Sequence, residues 1–184
     1  MPPSWKNSLI QLLNQSTGVD HPGYPPQGGF PRTCLVGIGS DLRGDDSAGL
    51  VVARALLDDE HRRNAPDLLI IEGGPAPENH TSKIRAFQPE LVLFVDAAQM
   101  DELPGTIRWV PLDTIDGMSA STHSMPLSIL ARFLTLELAC KVAVLGIQPG
   151  QNAIGSELSP PVRTAVDEIA RAINDLPGLN LPEE

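Results

Sequence analysis

The sequence predicts an α/β protein, a three-layer α/β/α domain with a mostly parallel five-stranded sheet and one antiparallel edge strand. Short apolar runs alternate with segments whose apolar residues recur every three or four positions, the pattern of strands alternating with amphipathic helices. The run Leu91–Val95 is apolar without interruption, as in a strand covered on both faces. Between Asp96 and the alternating segment Thr106–Val110 lie about nine residues, fewer than the dozen that a parallel crossover needs, so this strand runs antiparallel. Pro111 directly after it suits an edge.

Taken in order, residues 1–32 read as an appendage to the domain. Trp5, Leu9, Ile10, Leu12 and Leu13 can form a short amphipathic helix, and the Gly/Pro-rich stretch from Ser16 to Pro31 reads as a linker. The domain proper spans 33–177. Cys34–Ile38 is the first strand, and Ala48, Val51, Val52, Ala55 and Leu56 give the following helix one apolar face. A polar break from Asp58 to Pro66 precedes the second strand, Leu68–Ile71, which ends in Glu72-Gly73-Gly74. A short helix around Ile84 and Phe87 leads to the third strand, closed by Asp96. After the antiparallel edge, a polar loop from Asp113 to Ser124 delivers His123 to a helix opened by Pro126, with Leu127, Leu130, Ala131, Leu134 and Leu138 as its buried stripe. Lys141–Ile147 is a further buried strand. The last helix starts at Ser159-Pro160 and carries a clean stripe from Val162 to Ile173. Residues 178–184 read as a flexible tail. The expected strand order is second, first, third, then the last parallel strand and the antiparallel edge.

Composition excludes several classes of partner. With 13 basic and 23 acidic residues the net charge is −10, which repels nucleic acid and anionic membrane surfaces. No apolar run is long enough to span a bilayer, and no basic region followed by an apolar core opens the chain, so a cytoplasmic location is expected. Cys34 and Cys140 have neither metal-ligand nor framework spacing and read as buried, inert thiols.

The chemistry gathers around Cys34–Gly49. Glycines at 37, 39 and 44 place the third too late for a dinucleotide fingerprint, and no Gly-Lys-Ser/Thr follows for a P-loop. Asp45 and Asp46 stand where a phosphate would sit. One Asp there is explained by the helix dipole; the second adds repulsion, which suggests a cation. In an open doubly wound sheet ligands bind beyond the carboxyl ends of the strands, so the Asp45-Asp46 loop, Asp96 and His123 face one cleft if the strands are ordered as expected. Two carboxylates and an imidazole can hold a divalent metal, although capping or packing accounts equally well for an isolated His before a helix. His21, His61 and His80 lie in less suggestive positions. A serine hydrolase fits poorly, because Ser47 is not in G-x-S-x-G spacing and lies inside the helix, and Ser121 and Ser124 are too close in sequence to His123 to build a triad.

Several segments together carry a resemblance: Gly37-Ile38-Gly39 with Gly44-Asp45-Asp46 and Gly49, then IEGGPAPEN, FVDA at 94–97, STHSMPL at 121–127 and LGIQPG at 145–150. In order and spacing, from about Cys34 to Ile173, they resemble the [NiFe]-hydrogenase maturation endopeptidases, with the hydrogenase 3 (formate hydrogenlyase) type as the nearest branch. The resemblance implies an enzyme that removes a C-terminal extension from the hydrogenase large-subunit precursor after nickel insertion. It implies Asp46, Asp96 and His123 as catalytic and metal-contacting residues, on nickel supplied by the precursor. It also links Glu72, Gly73, Gly74 and Asp45 to substrate recognition. Ser40 replaces the Asn usual in that family after the second glycine, and Glu72 replaces its Asp. A nickel-binding chaperone without proteolysis and a nucleotide-binding module are the alternatives. Whether a metal or a carboxylate activates water stays open at this point.

Overall fold

The computed structural model describes residues 4–14, 31–117 and 125–176. His123 and the expected tail, like His21 and most of the linker, lie outside the described residues.

Among the described residues the sheet has five strands: β1 (Thr33–Ile38), β2 (Leu68–Gly74), β3 (Leu91–Ala97), β4 (Ile107–Val110) and β5 (Lys141–Ile147), in the order β2-β1-β3-β5-β4. β1 pairs in parallel with both β2 and β3, β3 pairs in parallel with β5, and β4 closes the edge antiparallel to β5. This is the expected order. The helices are α1 (Trp5–Asn14), α2 (Ala48–Asp58), a single turn α3 (Glu60–Arg63), α4 (Thr81–Phe87), α5 (Leu127–Leu138) and α6 (Pro160–Asn174). The turn α3 falls inside what reads in the sequence as a polar break. Its four residues make local backbone bonds, such as Asn64 N to Glu60 O at 3.2 Å, that need no apolar stripe to hold them.

Strand alternation divides the core into two layers. Leu35, Leu93, Val95 and Leu145 pack with Val52, Leu56, Val162, Val166 and Ile169 under α2 and α6. Cys34, Val36, Val92, Phe94 and Val144 face the other way, under Ile84 of α4 and Leu127, Leu130, Leu134 and Leu138 of α5. The three layers are thus helices on both faces of one sheet, as the continuous apolar run of β3 requires.

The N-terminal helix corrects one expectation. Read from sequence as part of an appendage, α1 instead buries Leu9 and Leu13 to 2% and 4% exposure in the same core layer as α2 and α6. Trp109 Nε1 of β4 donates to Trp5 O at 3.1 Å, and Lys6 pairs with Glu168 of α6 at 3.2 Å. The surface pair contributes little, and the two leucines carry the attachment. A chain shortened to start at Arg32 is expected to lose about 3–6 kcal/mol, the burial of two leucines at ~1.5–3 kcal/mol each. Urea unfolding of the shortened chain and of Leu9→Ala/Leu13→Ala checks this, and midpoints equal to that of the full chain would restore the appendage.

Candidate active site

Glycines bring the parts of the site together. A Cβ on Gly49, in the first turn of α2, would lie 2.0 Å from Val95 O and 2.4 Å from Ile38 O, so only glycine lets this turn rest on the C-terminal ends of β1 and β3. Gly39 has φ +134°, and a Cβ there would strike Asp46 O at 1.8 Å. The segment Gly44–Ser47 is a 3₁₀ turn ahead of α2, so Asp45 and Asp46 are pre-helical rather than part of the α-helix itself.

The turn gives the two carboxylates different surroundings. Asp45 is fully buried and accepts from Gly150 N (2.8 Å), Gln151 N (2.9 Å), Ser159 N (2.6 Å) and Ser159 Oγ (2.8 Å). Burial pushes its pKa up, but the hydrogen bonds from Ser159, Gln151 and Gly150 together outweigh that and hold it below the usual carboxylate value. Asp45 therefore clamps the β5–α6 loop and the start of α6 to the 3₁₀ turn, with its carboxylate committed to internal donors. The two adjacent aspartates thus sit in different environments.

A group with a depressed folded-state pKa stabilises fully above its unfolded value, ~3.9 for Asp, and loses that contribution as pH falls through the folded value. Asp45→Asn is accordingly expected to cost about 2–3 kcal/mol at neutral pH, the scale of hydrogen bonds to a charged acceptor, and to flatten the acid limb of the stability curve. Chemical denaturation between pH 3 and pH 7 measures both effects.

Asp46 is buried to 7% exposure and has no such set of donors. Burial raises its pKa, and the nearby Arg43 charge and the Ser40 backbone N–H bring it only partly back. Asp96, in β3 opposite Gly146 of β5, is buried to 2% exposure. With the 3₁₀ turn and the first turn of α2 seated on the strand ends, both carboxylates belong to the strand-tip side of the sheet. Among the described residues no three His, Cys, Asp or Glu side chains gather as a metal site; His123 is outside that set.

The flanks of the segment carrying His123 are held. Ser128 N and Oγ both donate to the Asp116 carboxylate, joining residues on either side of 118–124. Met125 N donates to Glu78 Oε1 at 3.3 Å, in the region just after β2. Because α5 must deliver the chain to the start of β5, its N-terminus lies at the strand tips. Glu72-Gly73-Gly74 forms a break in the β1–β2 register, where Gly37 pairs with Glu72 and Ile38 with Gly74, leaving Gly73 as a bulge. Glu72 is exposed and bonds Arg54 Nε at 2.7 Å, while Arg54 grips Asp41 through two further bonds at 2.5 and 2.8 Å. This surface network joins the loop after β1 to the end of β2. Asp41 lies within the Cys34–Gly49 stretch that the sequence marks, but its pairing with Arg54 of α2 is not revealed by any local pattern.

Competing chemistries fit less well. Ser47 is buried and its hydroxyl donates to Gly44 O at 2.7 Å, an intra-turn bond rather than an activated nucleophile. Burial raises the Cys34 thiol and pushes that of Cys140 up to about 11, so neither is a ready thiolate. Ser159 N at the start of α6 and Gly150 N in the loop after β5, two donors that could meet a phosphate, are bonded to Asp45.

The class that emerges is an α/β protein with buried acidic residues at the strand tips, in which neither Ser47 nor the two cysteines is poised as a nucleophile. A family model described as hydrogenase maturation protease matches residues 52–176. The hydrogenase 3 maturation protease of Escherichia coli is 34% identical over 147 residues, covering 78% of this chain and 90% of that protein. The crystal structure of a [NiFe] hydrogenase maturation protease, HycI, from Thermococcus kodakarensis is 35% identical with a TM-score of 0.69, covering 78% of this chain and 90% of that one. The solution structure of the Escherichia coli endopeptidase HycI is 31% identical with a TM-score of 0.67 over 83% and 99%. The chain belongs to the hydrogenase maturation protease family, and it is a peptidase. No helix among the described residues is long and apolar enough to cross a membrane.

Proposed function

We propose that this peptidase removes the C-terminal extension of a [NiFe]-hydrogenase large-subunit precursor once nickel has been inserted, with Asp46, Asp96 and His123 as the groups that meet the metal and the scissile bond. The observation that carries the reading is the contrast between adjacent carboxylates. Asp45 is locked by four internal donors, whereas Asp46 is buried, under-solvated and raised in pKa. A carboxylate so placed gains most from a cation or from taking a proton, the two services that peptide hydrolysis needs.

Asp46 and Asp96 supply hard oxygen ligands and His123 a nitrogen, a donor set that suits nickel or another divalent metal. Such a set is weak beside a closed structural site, so the metal arrives with the precursor as part of the substrate, and ligation acts as a test that the precursor is loaded. A metal held by Asp46, Asp96 and His123 would supply Lewis-acid polarisation of the scissile carbonyl. Asp46 and Asp96 orient the reacting segment, and the ionised carboxylate of Asp46 takes the proton of the attacking water. Glu72, Gly73 and Gly74 border the approach, with Glu72 fixed by Arg54. Asp45 serves recognition indirectly, by holding the β5–α6 loop.

Incubation with purified precursor, followed on gels and by mass spectrometry, tests the reading. Loss of the extension is expected with the natural chain and at most a residual rate with Asp96→Asn or His123→Ala; undiminished processing by either variant would contradict the assignment. Nickel binding with no processing of a loaded precursor would instead favour the chaperone alternative, and thermal protection by a nucleotide the nucleotide-binding one.

A further inference from the structure

We infer that Leu42, Leu103 and Ile154 form an apolar docking rim on the strand-tip side, which seats the folded body of the protein substrate while its scissile segment occupies the cleft. The inference rests on the proposed function for the identity of that substrate.

The three side chains are 69%, 79% and 81% exposed. A single exposed leucine is unremarkable in a globular protein. Here, however, each comes from a different loop, and all three loops leave the C-terminal ends of strands: Leu42 after β1, Leu103 after β3 and Ile154 after β5. The loops are tied into one unit. Gly155 N donates to Leu42 O at 2.8 Å, placing the Ile154 tip beside Leu42. On the other side Gly105 N donates to Gln148 O at 2.8 Å, and the buried Gln148 side chain accepts from Met100 N at 2.7 Å and Glu102 N at 3.3 Å. The Asp45 clamp holds the middle loop from beneath. Rigid loops that present apolar tips lose little conformational freedom when they bind, the condition for an anchor in a protein interface.

The occupant is the folded substrate rather than a second copy of this chain. The rim is continuous with the acidic strand-tip site, and it carries exposed acids, Asp101 and Glu157, on a chain of net charge −10. Two copies would oppose like charges around the same apolar centre, whereas a substrate surface with basic residues around apolar hollows would complement it.

The test is the combined variant Leu42→Ser/Leu103→Ser/Ile154→Ser against Ile129→Ser/Leu136→Ser, two exposed positions on α5. Precursor binding is measured by biolayer interferometry, and processing is resolved into KM and kcat. The rim variant is expected to keep the natural Tm and kcat while its Kd and KM rise by roughly tenfold or more, and the α5 variant to match the natural chain. Unchanged Kd and KM in a rim variant that still processes would overturn the rim, as would natural self-association that the variant abolishes. A natural chain that binds the precursor without cleaving it would defeat the proteolytic reading alone, the rim then standing or falling on the variant's Kd. Absence of any binding would defeat both.

Discussion

Asp46→Asn is expected to slow processing severely and to make the protein more stable. Burial raises the pKa of this carboxyl, with Arg43 and the Ser40 N–H opposing only in part. The native state therefore holds the Asp46 proton more tightly than the unfolded chain does. Stability from this group is greatest below the unfolded value of ~3.9 and declines as pH rises through the folded value, so at neutral pH the ionised side chain is a cost. Asparagine removes that cost. A higher Tm is expected, with processing slowed by about 10²–10⁴-fold if the carboxylate is the base. Calorimetry and single-turnover processing on the same preparation measure both. A destabilised but active variant would reverse the reading and make Asp46 structural. In the natural chain the same ionisation predicts that activity falls on acidification at a higher pH than an ordinary aspartate would give.

The largest structural effect is expected at Gly49. A methyl group there meets two backbone carbonyl oxygens, Val95 O at 2.0 Å and Ile38 O at 2.4 Å, while from the facing side a Cβ on Gly37 would lie 2.1 Å from Gly49 O. None of these atoms is the end of a flexible side chain, so α2 must lift off the sheet or β1 and β3 must part. Gly49→Ala is expected to cost at least about 3 kcal/mol, the range of severe overpacking, and to lower the yield of folded protein. At Gly74, with φ +62° and nothing within 4 Å of an added Cβ, Ala is expected to cost less, from backbone strain alone. Urea unfolding of both variants ranks them, and equal losses would show that the α2 contact is looser than these distances require.

The sheet order was legible because strand character, burial on both faces and connection length are all local quantities. The short link after Asp96 predicted the antiparallel β4, and the uninterrupted run at Leu91 predicted a β3 covered on both faces. The separation of Asp45 from Asp46 was not legible. It depends on four donors from three residues more than a hundred positions away, Gly150, Gln151 and Ser159, which no spacing within Gly44–Gly49 reports. Leu9 and Leu13 gave the helix its amphipathic pattern, but a pattern does not say which surface it covers, and the Pro/Gly-rich segment that follows suggested separation where the helix packs on the core. Gln148 sits in the quoted LGIQPG, yet its role in tying the β3–β4 loop comes only from tertiary contacts.

The central claim is that Asp46, Asp96 and His123 meet a metal carried by the substrate. It is tested most directly by giving metal-depleted protein two forms of the purified large-subunit precursor, nickel-loaded and nickel-free, and following loss of the C-terminal extension. Cleavage of the loaded form alone, abolished by Asp96→Asn, is the result the account predicts. Equal cleavage of both forms, or cleavage only after zinc is added to the protease, would contradict it.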